Sequence, residues 1–491
     1  MLGIGWVGYV GTDDHSYARG ALGWLNHFPY VGRDHWTLRH TVVIPVAVSL
    51  AIFGMREISL GLPSALLFLL MLAVNFHYLE RFFGTRFSVF SSIFMATTPL
   101  FVIQATFPQD VIAQLFAVSL SFWLFYAATL HERPGWLMFT AGVAAAFGWL
   151  TLETTAGLLL FYAILFLLGL GVSRKYYWIM ALGFVLVVGI EIGYFTVLTG
   201  DPLYRYRIDL FHDVVDRIGD AKTALGSGVT LNLEGNLTVN PFLEPFTALL
   251  LNQEFGILFW LYIPAAIWVW RTNRIAAEDR RLLRFLTGLG LVWMAFVSLN
   301  ASVLYVVPRY YAPFSWAALI IVVYWLNEFL LVRWPRVAVL AGVGLLTTNL
   351  FCVYVENKIP LFAERALVEY VAHHRGVVYT DPMTLSQAKL LFEFRGISSD
   401  RVLKDPAPAG AVFYGSPKSI ERCKREGKRC KWSWEQYMPR NSWSEVTRIE
   451  PTRKVSGFLL RFLQLDTVIP REIFDRLDRP NPGSTFYLTS R

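Results

Sequence analysis

Long apolar runs separated by short polar turns dominate the first 356 residues. A helix that crosses a bilayer needs about 20 mostly apolar residues. Ten runs meet or approach that length: roughly 59–79, 88–106, 110–130, 135–151, 155–172, 176–199, 246–270, 285–306, 312–332 and 337–356. Alternate connections carry the basic residues: Arg81 and Arg86, Arg133, Arg174 and Lys175, five arginines from Arg271 to Arg284, and Arg333 with Arg336. The intervening short connections hold a single one, Arg309. Positive charge favours the cytoplasmic side. The pattern therefore predicts outer positions for 106–110, 152–154, the long loop 200–245, 305–311 and everything after Glu356.

Two apolar runs are too short for this scheme. Thr41 to Met55 has 15 residues and contains Pro45, so it is expected to lie flat at the interface rather than to span. Met1 to Val10 lacks the basic start and small-residue cleavage site of a signal peptide. A truncated first membrane helix and a half-buried stub both stand as readings of it. The expected domains are a membrane part, 1–356, and an outer tail, 357–491. The membrane part includes a first outer loop with its flat helix (12–58) and a second long loop (200–245). In the tail, short β-rich runs (376–380, 410–414) alternate with amphipathic stretches such as 361–374, which predicts a small α/β domain.

Composition supports the membrane reading. Hydrophobic residues make up 55% of the 491 and charged residues 16%, with a mean hydropathy of +0.44. A soluble chain carries about a quarter charged residues, so a cytosolic enzyme, a disordered chain and a disulfide-knit mini-domain are excluded. The net charge of +8 sits in the tail, where 23 Lys and Arg face 15 Asp and Glu; the rest of the chain balances at 21 of each. No basic residues interleave with aromatics as a base-stacking platform, which argues against nucleic acid and for anionic lipid headgroups or an anionic acceptor. Cys423 and Cys430 flank a basic stretch of the tail. They read either as unrelated thiols or as a disulfide formed in an oxidising compartment. Without a nearby His they make a poor zinc site.

Ionisable residues at the membrane are costly and mark function, and here they gather at the expected outer ends of helices. Gly11-Thr12-Asp13-Asp14-His15-Ser16-Tyr17 opens the first outer segment, and helical spacing places Asp13 and Tyr17 on one face. Asp110 follows Phe107-Pro108-Gln109, Glu153 sits in Leu152-Glu153-Thr154, Arg39-His40 precedes the flat segment, and Arg309-Tyr310-Tyr311 follows Pro308. Taken singly, the acids read as helix caps and the cations as groups that snorkel to headgroups. Together they suit sugar transfer from a lipid phosphate. A carboxylate accepts the proton of the attacking acceptor, while Arg39, His40 or Arg309 stabilises the departing phosphate.

In their order these features resemble the GT-C membrane glycosyltransferases, specifically the group of protein O-mannosyltransferases and the lipid A aminoarabinose transferase. Asp13-Asp14-His15-Ser16-Tyr17 looks like the acidic motif of that family's first outer loop. Ile52-Phe53-Gly54 looks like the end of its juxtamembrane helix, and Gly61-Leu62-Pro63-Ser64 like the next helix start. Thr151-Leu152-Glu153 is similar to its Thr-Lys turn, while Gly200–Arg205 and Pro308–Pro313 are similar to later segments. The similarity runs from about residue 11 to 330. It departs at Arg39-His40-Thr41, where Lys-Pro-Pro is usual, and at Leu152, where Lys is usual.

The resemblance implies an α-helical polytopic fold of about 10–12 transmembrane helices with a small C-terminal extracytoplasmic α/β domain. It implies an integral membrane glycosyltransferase that moves a hexosyl or pentosyl group, with inversion, from a polyprenyl-phosphate donor to a protein, lipid or glycan. Asp13 becomes the base, Asp14 its acidic neighbour, Asp110 a second acid orienting acceptor or base, and Arg39 the phosphate contact. Tyr17, His40, Glu153, Arg309 and Tyr310 line the substrate site. No cofactor is expected, although Asp13, Asp14 and Asp110 could hold a divalent cation. The expected setting is a bacterial inner membrane with site and tail outside. The competing readings are a transporter or flippase, and a non-catalytic envelope assembly protein. The expectation with most consequence is that Asp13 and Asp110 line a single external cavity.

Overall fold

The computed structural model of the chain describes residues 5–209, 230–231, 238–239, 244–272, 275–300, 307–356, 361–426, 432–449, 460–468, 471 and 483–490. Contacts divide it into two compact units. One comprises 1–6, 16–49 and 61–356; the other comprises 7–15, 50–60 and 357–491. The boundary after Glu356 coincides with the change in sequence character. Two short upstream segments nevertheless group with the tail.

The first unit is a helical bundle. Its early helices are α1 (Asp13–Asn26), α2 (His40–Phe53), α3 (Glu57–Phe83), α4 (Thr85–Thr97), α5 (Pro99–Gln104), α6 (Asp110–Ala128), α7 (Gly135–Thr151), α8 (Ala156–Leu168), α9 (Arg174–Thr199) and α10 (Tyr204–Asp209); α1 and α3 begin in segments that group with the other unit. Among the described residues, six helices are long and apolar enough to cross a membrane. They are α3, α6, α9, Ala277–Leu299, Pro308–Arg333 and Pro335–Val353.

The other four expected spans are shorter or divided for local reasons. Pro99 lacks an amide proton and forces Thr98 into an extended conformation, separating α4 from α5. Leu152 is extended and leads through the 3-10 turn Glu153–Thr155 into α8, so α7 stops at 17 residues. Gly256, at a φ of +54°, ends the turn between the helices Glu244–Leu251 and Leu258–Arg271. The expected flat run forms the 14-residue α2 with Pro45 inside it. Ile44, Val48 and Ile52, one turn apart, make an exposed apolar stripe along it.

Small residues let α7 and α9 approach closely. A methyl group on Gly142 would lie 1.8 Å from the Met180 carbonyl oxygen, and one on Gly183 would lie 2.2 Å from that of Phe139. Deep in the bundle the Asn75 carbonyl oxygen accepts from the indoles of Trp123 (2.9 Å) and Trp316 (2.7 Å), satisfying three buried polar side chains. The two ends of the bundle differ. At one, Tyr126 donates to the Glu278 carbonyl and Arg281 to that of Gly171. The other gathers Asp110, Glu153 and Arg205. The two-residue strands β1 (Thr230–Leu231) and β2 (Thr238–Val239) pair antiparallel; most of the loop expected at 200–245 lies outside the described residues.

The second unit contains a five-stranded mixed sheet. Its strands are β3 (Val378–Thr380), β4 (Val402–Leu403), β5 (Val412–Gly415), β6 (Ser444–Ile449) and β7 (Ser484–Leu488), in the order β4-β3-β5-β7-β6. β3 runs parallel to β4 and β5, whereas β7 runs antiparallel to β5 and β6. The expected amphipathic stretch forms the helix Phe362–His373. A second helix, Pro382–Phe394, is capped by Asp381, whose carboxylate accepts from the amides of Met383 and Thr384. Cys423 is disulfide-bonded; Cys430, its expected partner, lies outside the described residues. Cys352 is a buried thiol.

Candidate active site

The polar cluster is built from the helix ends of the first unit. Pro108 and the extended Gln109 set Asp110 in the first turn of α6, where the helix dipole favours a carboxylate. Arg39 immediately precedes α2, Tyr17 lies on the buried side of α1, and Glu153 rides the turn between α7 and α8. These four meet. Arg39 Nη1 donates to Tyr17 Oη at 2.9 Å and also to Asp110 Oδ2, which accepts from Tyr17 Oη as well, at 3.2 Å. Arg39 Nη2 reaches Glu153 Oε2 at 3.3 Å.

A second guanidinium extends the network. Arg205, on α10, donates to Glu153 Oε1 (2.7 Å), Glu191 Oε1 (2.9 Å) and Asp209 Oδ2 (3.3 Å). Glu153 is thus shared between two arginines, and the two guanidinium groups face four carboxyl groups. Arg205 is 1% exposed and Arg39 8%, so both charges have lost nearly all their water and depend on these partners. Burial opposes the charge on Arg39, but Tyr17, Asp110 and Glu153 outweigh it and hold the group above the ordinary arginine pKa. For Arg205, burial is likewise outweighed, by Glu191, Glu153 and Asp209. Burial, with Glu153 beside it, pushes Asp209 up.

His40 lies alongside in an aromatic box. Its ring stacks on Phe195 at 5.3 Å and meets Trp24 and Tyr194 edge-on. Nδ1 is 4.0 Å from Glu191 Oε1. Burial and the nearby Arg205 depress its pKa to about 4, so the imidazole is neutral at physiological pH. Among the described residues, the buried polar atoms of this region without a hydrogen-bond partner include Asp110 Oδ1, Arg39 Nε, His40 Nε2, Glu191 Oε2 and Asp209 Oδ1. Unsatisfied buried groups of this kind are rare in folded proteins, and a catalytic role is one of the few reasons for them.

Asp13 and Asp14 belong to the segment 7–15 that groups with the tail. Asp14 is fully buried and accepts from four backbone amides: Val10 (2.5 Å), Thr12 (2.7 Å), His15 (3.1 Å) and Gly11 (3.3 Å). These bonds fold the chain into α1. Asp13 is the first residue of α1, one turn before Tyr17.

Comparison with known proteins identifies the fold. The family model described as dolichyl-phosphate-mannose-protein mannosyltransferase matches residues 43–192. Curated protein sequences yield no match. Among solved structures, ArnT from Cupriavidus metallidurans in the apo state superposes with a TM-score of 0.57 at 13% identity, covering 86% of this chain and 92% of that one. The same protein bound to undecaprenyl phosphate gives 0.57 at 14% identity, covering 91% and 94%. The oligosaccharyltransferase of Archaeoglobus fulgidus gives 0.50 at 14%, covering 78% of this chain and 58% of that one. The chain has the GT-C fold.

Within the GT-C fold, the expected residues Tyr17, Arg39, His40, Asp110 and Glu153 come together. Arg309 and Tyr310 lie on a separate 3-10 turn, Pro308–Tyr311, where the guanidinium sits 5.6 Å over the Tyr310 ring. Arg205, Glu191 and Asp209 were not expected. Glu191 carried a usable signal, as an acid inside a membrane helix, and Arg205 stood unassigned in the motif Gly200–Arg205. Among the described residues no three His, Cys, Asp or Glu side chains group as metal ligands.

Proposed function

We propose that this chain is a membrane glycosyltransferase that moves a sugar from a polyprenyl-phosphate donor to an extracytoplasmic acceptor, with inversion at the anomeric carbon. The observation that carries the reading is the buried Tyr17–Arg39–Asp110–Glu153–Arg205 network, with its open valences, at one end of a GT-C bundle. ArnT, of the same fold, has been crystallised with undecaprenyl phosphate.

In this reaction an acceptor hydroxyl or amine attacks the anomeric carbon as the carbon–oxygen bond to phosphate breaks. The bond's electron pair leaves on the polyprenyl phosphate, and the acceptor's proton passes to a carboxylate. Asp13, opening α1, is the proposed base. Asp110 orients the acceptor through Oδ1, its other oxygen being held by Tyr17 and Arg39. Arg39 has both amino nitrogens committed, so it meets the phosphate through Nε while fixing Asp110. The acceptor is a protein, lipid or glycan of the cell envelope, and the basic tail favours an anionic one. The site and the tail face outward from a bacterial inner membrane. A divalent cation is not needed for this chemistry.

The test is turnover of radiolabelled polyprenyl-phosphate sugars by the purified chain in nanodiscs. The reading expects a covalent product and a loss of at least ~100-fold in Asp13→Asn, the scale of a missing general base. Movement of a labelled substrate across liposomes with no covalent product would overturn it in favour of a transporter.

A further inference from the structure

The second unit holds a cavity of about 570 Å³, inside the ~300–1,000 Å³ range of small-ligand sites. Its floor is apolar: Val368, Leu391, Phe394 and Phe486 contribute to it, and Tyr370 stacks on Phe486 at 3.9 Å. Its rim is charged but balanced. Arg365 pairs with both oxygens of Glu57, from the segment 50–60 that groups with this unit, at 2.9 Å to Oε2. Arg395 faces Glu369 at 3.5 Å, and His373 reaches the same carboxylate at 3.7 Å.

The chemistry of this rim selects its ligand. An anion would be repelled by Glu57 and Glu369, and a cation by Arg365 and Arg395. A lipid tail would leave the rim unused. A neutral molecule with adjacent hydroxyls can donate to the carboxylates and accept from the guanidiniums at once, while its C–H faces lie on the aromatic and aliphatic floor. The Arg395–Glu369 pair is more than half exposed on both sides. Such a pair holds weakly and opens at little cost. We infer that this cavity is a binding site for a neutral oligosaccharide. Naming that saccharide as the acceptor or product glycan rests on the transferase reading; the binding itself does not.

The experiment uses the full chain in nanodiscs free of sugar-headed detergent, titrated with maltotriose, mannotriose and chitotriose and followed by saturation-transfer NMR and calorimetry. The expected result is binding of at least one trisaccharide with a dissociation constant of about 1 mM. It should weaken at least tenfold in both Glu369→Gln and Arg395→Ala, and excess inorganic phosphate should not displace it. Both side chains are exposed, so the variants are expected to fold, and their thermal midpoints check this. The inference is overturned if none of the three sugars binds, if either variant binds as well as the parent, or if phosphate competes. None of these readouts requires turnover, so an inactive but sugar-binding protein would count against the transferase reading alone.

Discussion

Arg39 does more in the structure than its sequence position promised. A phosphate-contacting cation needs only charge, yet this guanidinium ties Tyr17, Asp110 and Glu153 into one network. Lys has a single ammonium and cannot span three partners in a plane. Arg39→Lys is therefore expected to cost at least ~10-fold in turnover even though the charge is kept, which a nanodisc assay would register. His40 gives a second prediction at this scale. Its folded pKa of about 4 lies below the unfolded value of 6.5, so the unfolded state binds a proton that the folded state refuses. The stability it confers is present above pH 6.5 and is lost as pH falls toward 4. At pH 5 the loss is roughly 2 kcal/mol. His40→Phe, which suits the aromatic box, should remove that slope in unfolding midpoints compared at pH 7.5 and pH 5. An equal acid slope in the variant would place its origin elsewhere. Much of the cluster was legible because an acid after Pro-Gln, an acid in a helix–helix turn and an Arg-His pair are polar interruptions in apolar sequence. Arg205 was not. Its role depends on α10 folding back over Glu191, and local pattern says nothing of that return. Asp14 is hard to read for the opposite reason: a carboxylate that caps backbone amides looks the same in sequence as one that meets a substrate.

At the scale of elements, the hydropathy pattern located nearly every helix but not where each stops, because stops are set by single residues such as Pro99, Leu152 and Gly256. Helix pairing was illegible for a similar reason. Lipid-facing and buried positions of a membrane helix are equally apolar, so the α7–α9 contact shows in sequence only as two glycines among many. That contact is testable. Gly183→Ala would place a methyl 2.2 Å from the Phe139 carbonyl oxygen, whereas Gly189, six residues on along α9, has nothing within 4 Å of the same atom. Backbone cannot yield as a flexible side chain can. Overpacking of this kind typically costs ~1–3 kcal/mol. Gly183→Ala is expected to lower the thermal midpoint of the purified protein clearly and Gly189→Ala hardly at all. Equal effects would mean that the two helices do not pack here.

For the whole molecule, the decisive quantity is sidedness, since a lipid-phosphate donor suits the outer face and soluble nucleotide sugars the inner one. The charge bias predicts that the connection 131–134 faces the cytoplasm. Among the described residues, seven apolar helices separate it from the tail: α7, α8, α9, Leu258–Arg271, Ala277–Leu299, the helix through Arg333 and Pro335–Glu356. If all seven cross, an odd number puts the start of the tail opposite that connection; Asp110 and Glu153, each one helix away from 131–134, lie opposite it as well. In a Cys352→Ser background, a membrane-impermeant maleimide applied to intact cells should label Arg375→Cys and leave Glu132→Cys unlabelled until the membrane is opened. Both positions are exposed, so a missing label reports location rather than burial. Labelling of Glu132→Cys alone would invert the protein and put the buried carboxylates where nucleotide sugars, not polyprenyl phosphates, are the available donors. Labelling of both would mean that one of the short helices, of which α8 has only 13 residues, fails to cross. The length of α8 is then the first thing to question, because ~20 Å of helix spans a ~30 Å core only with help from the turn Glu153–Thr155 and a locally thinned bilayer.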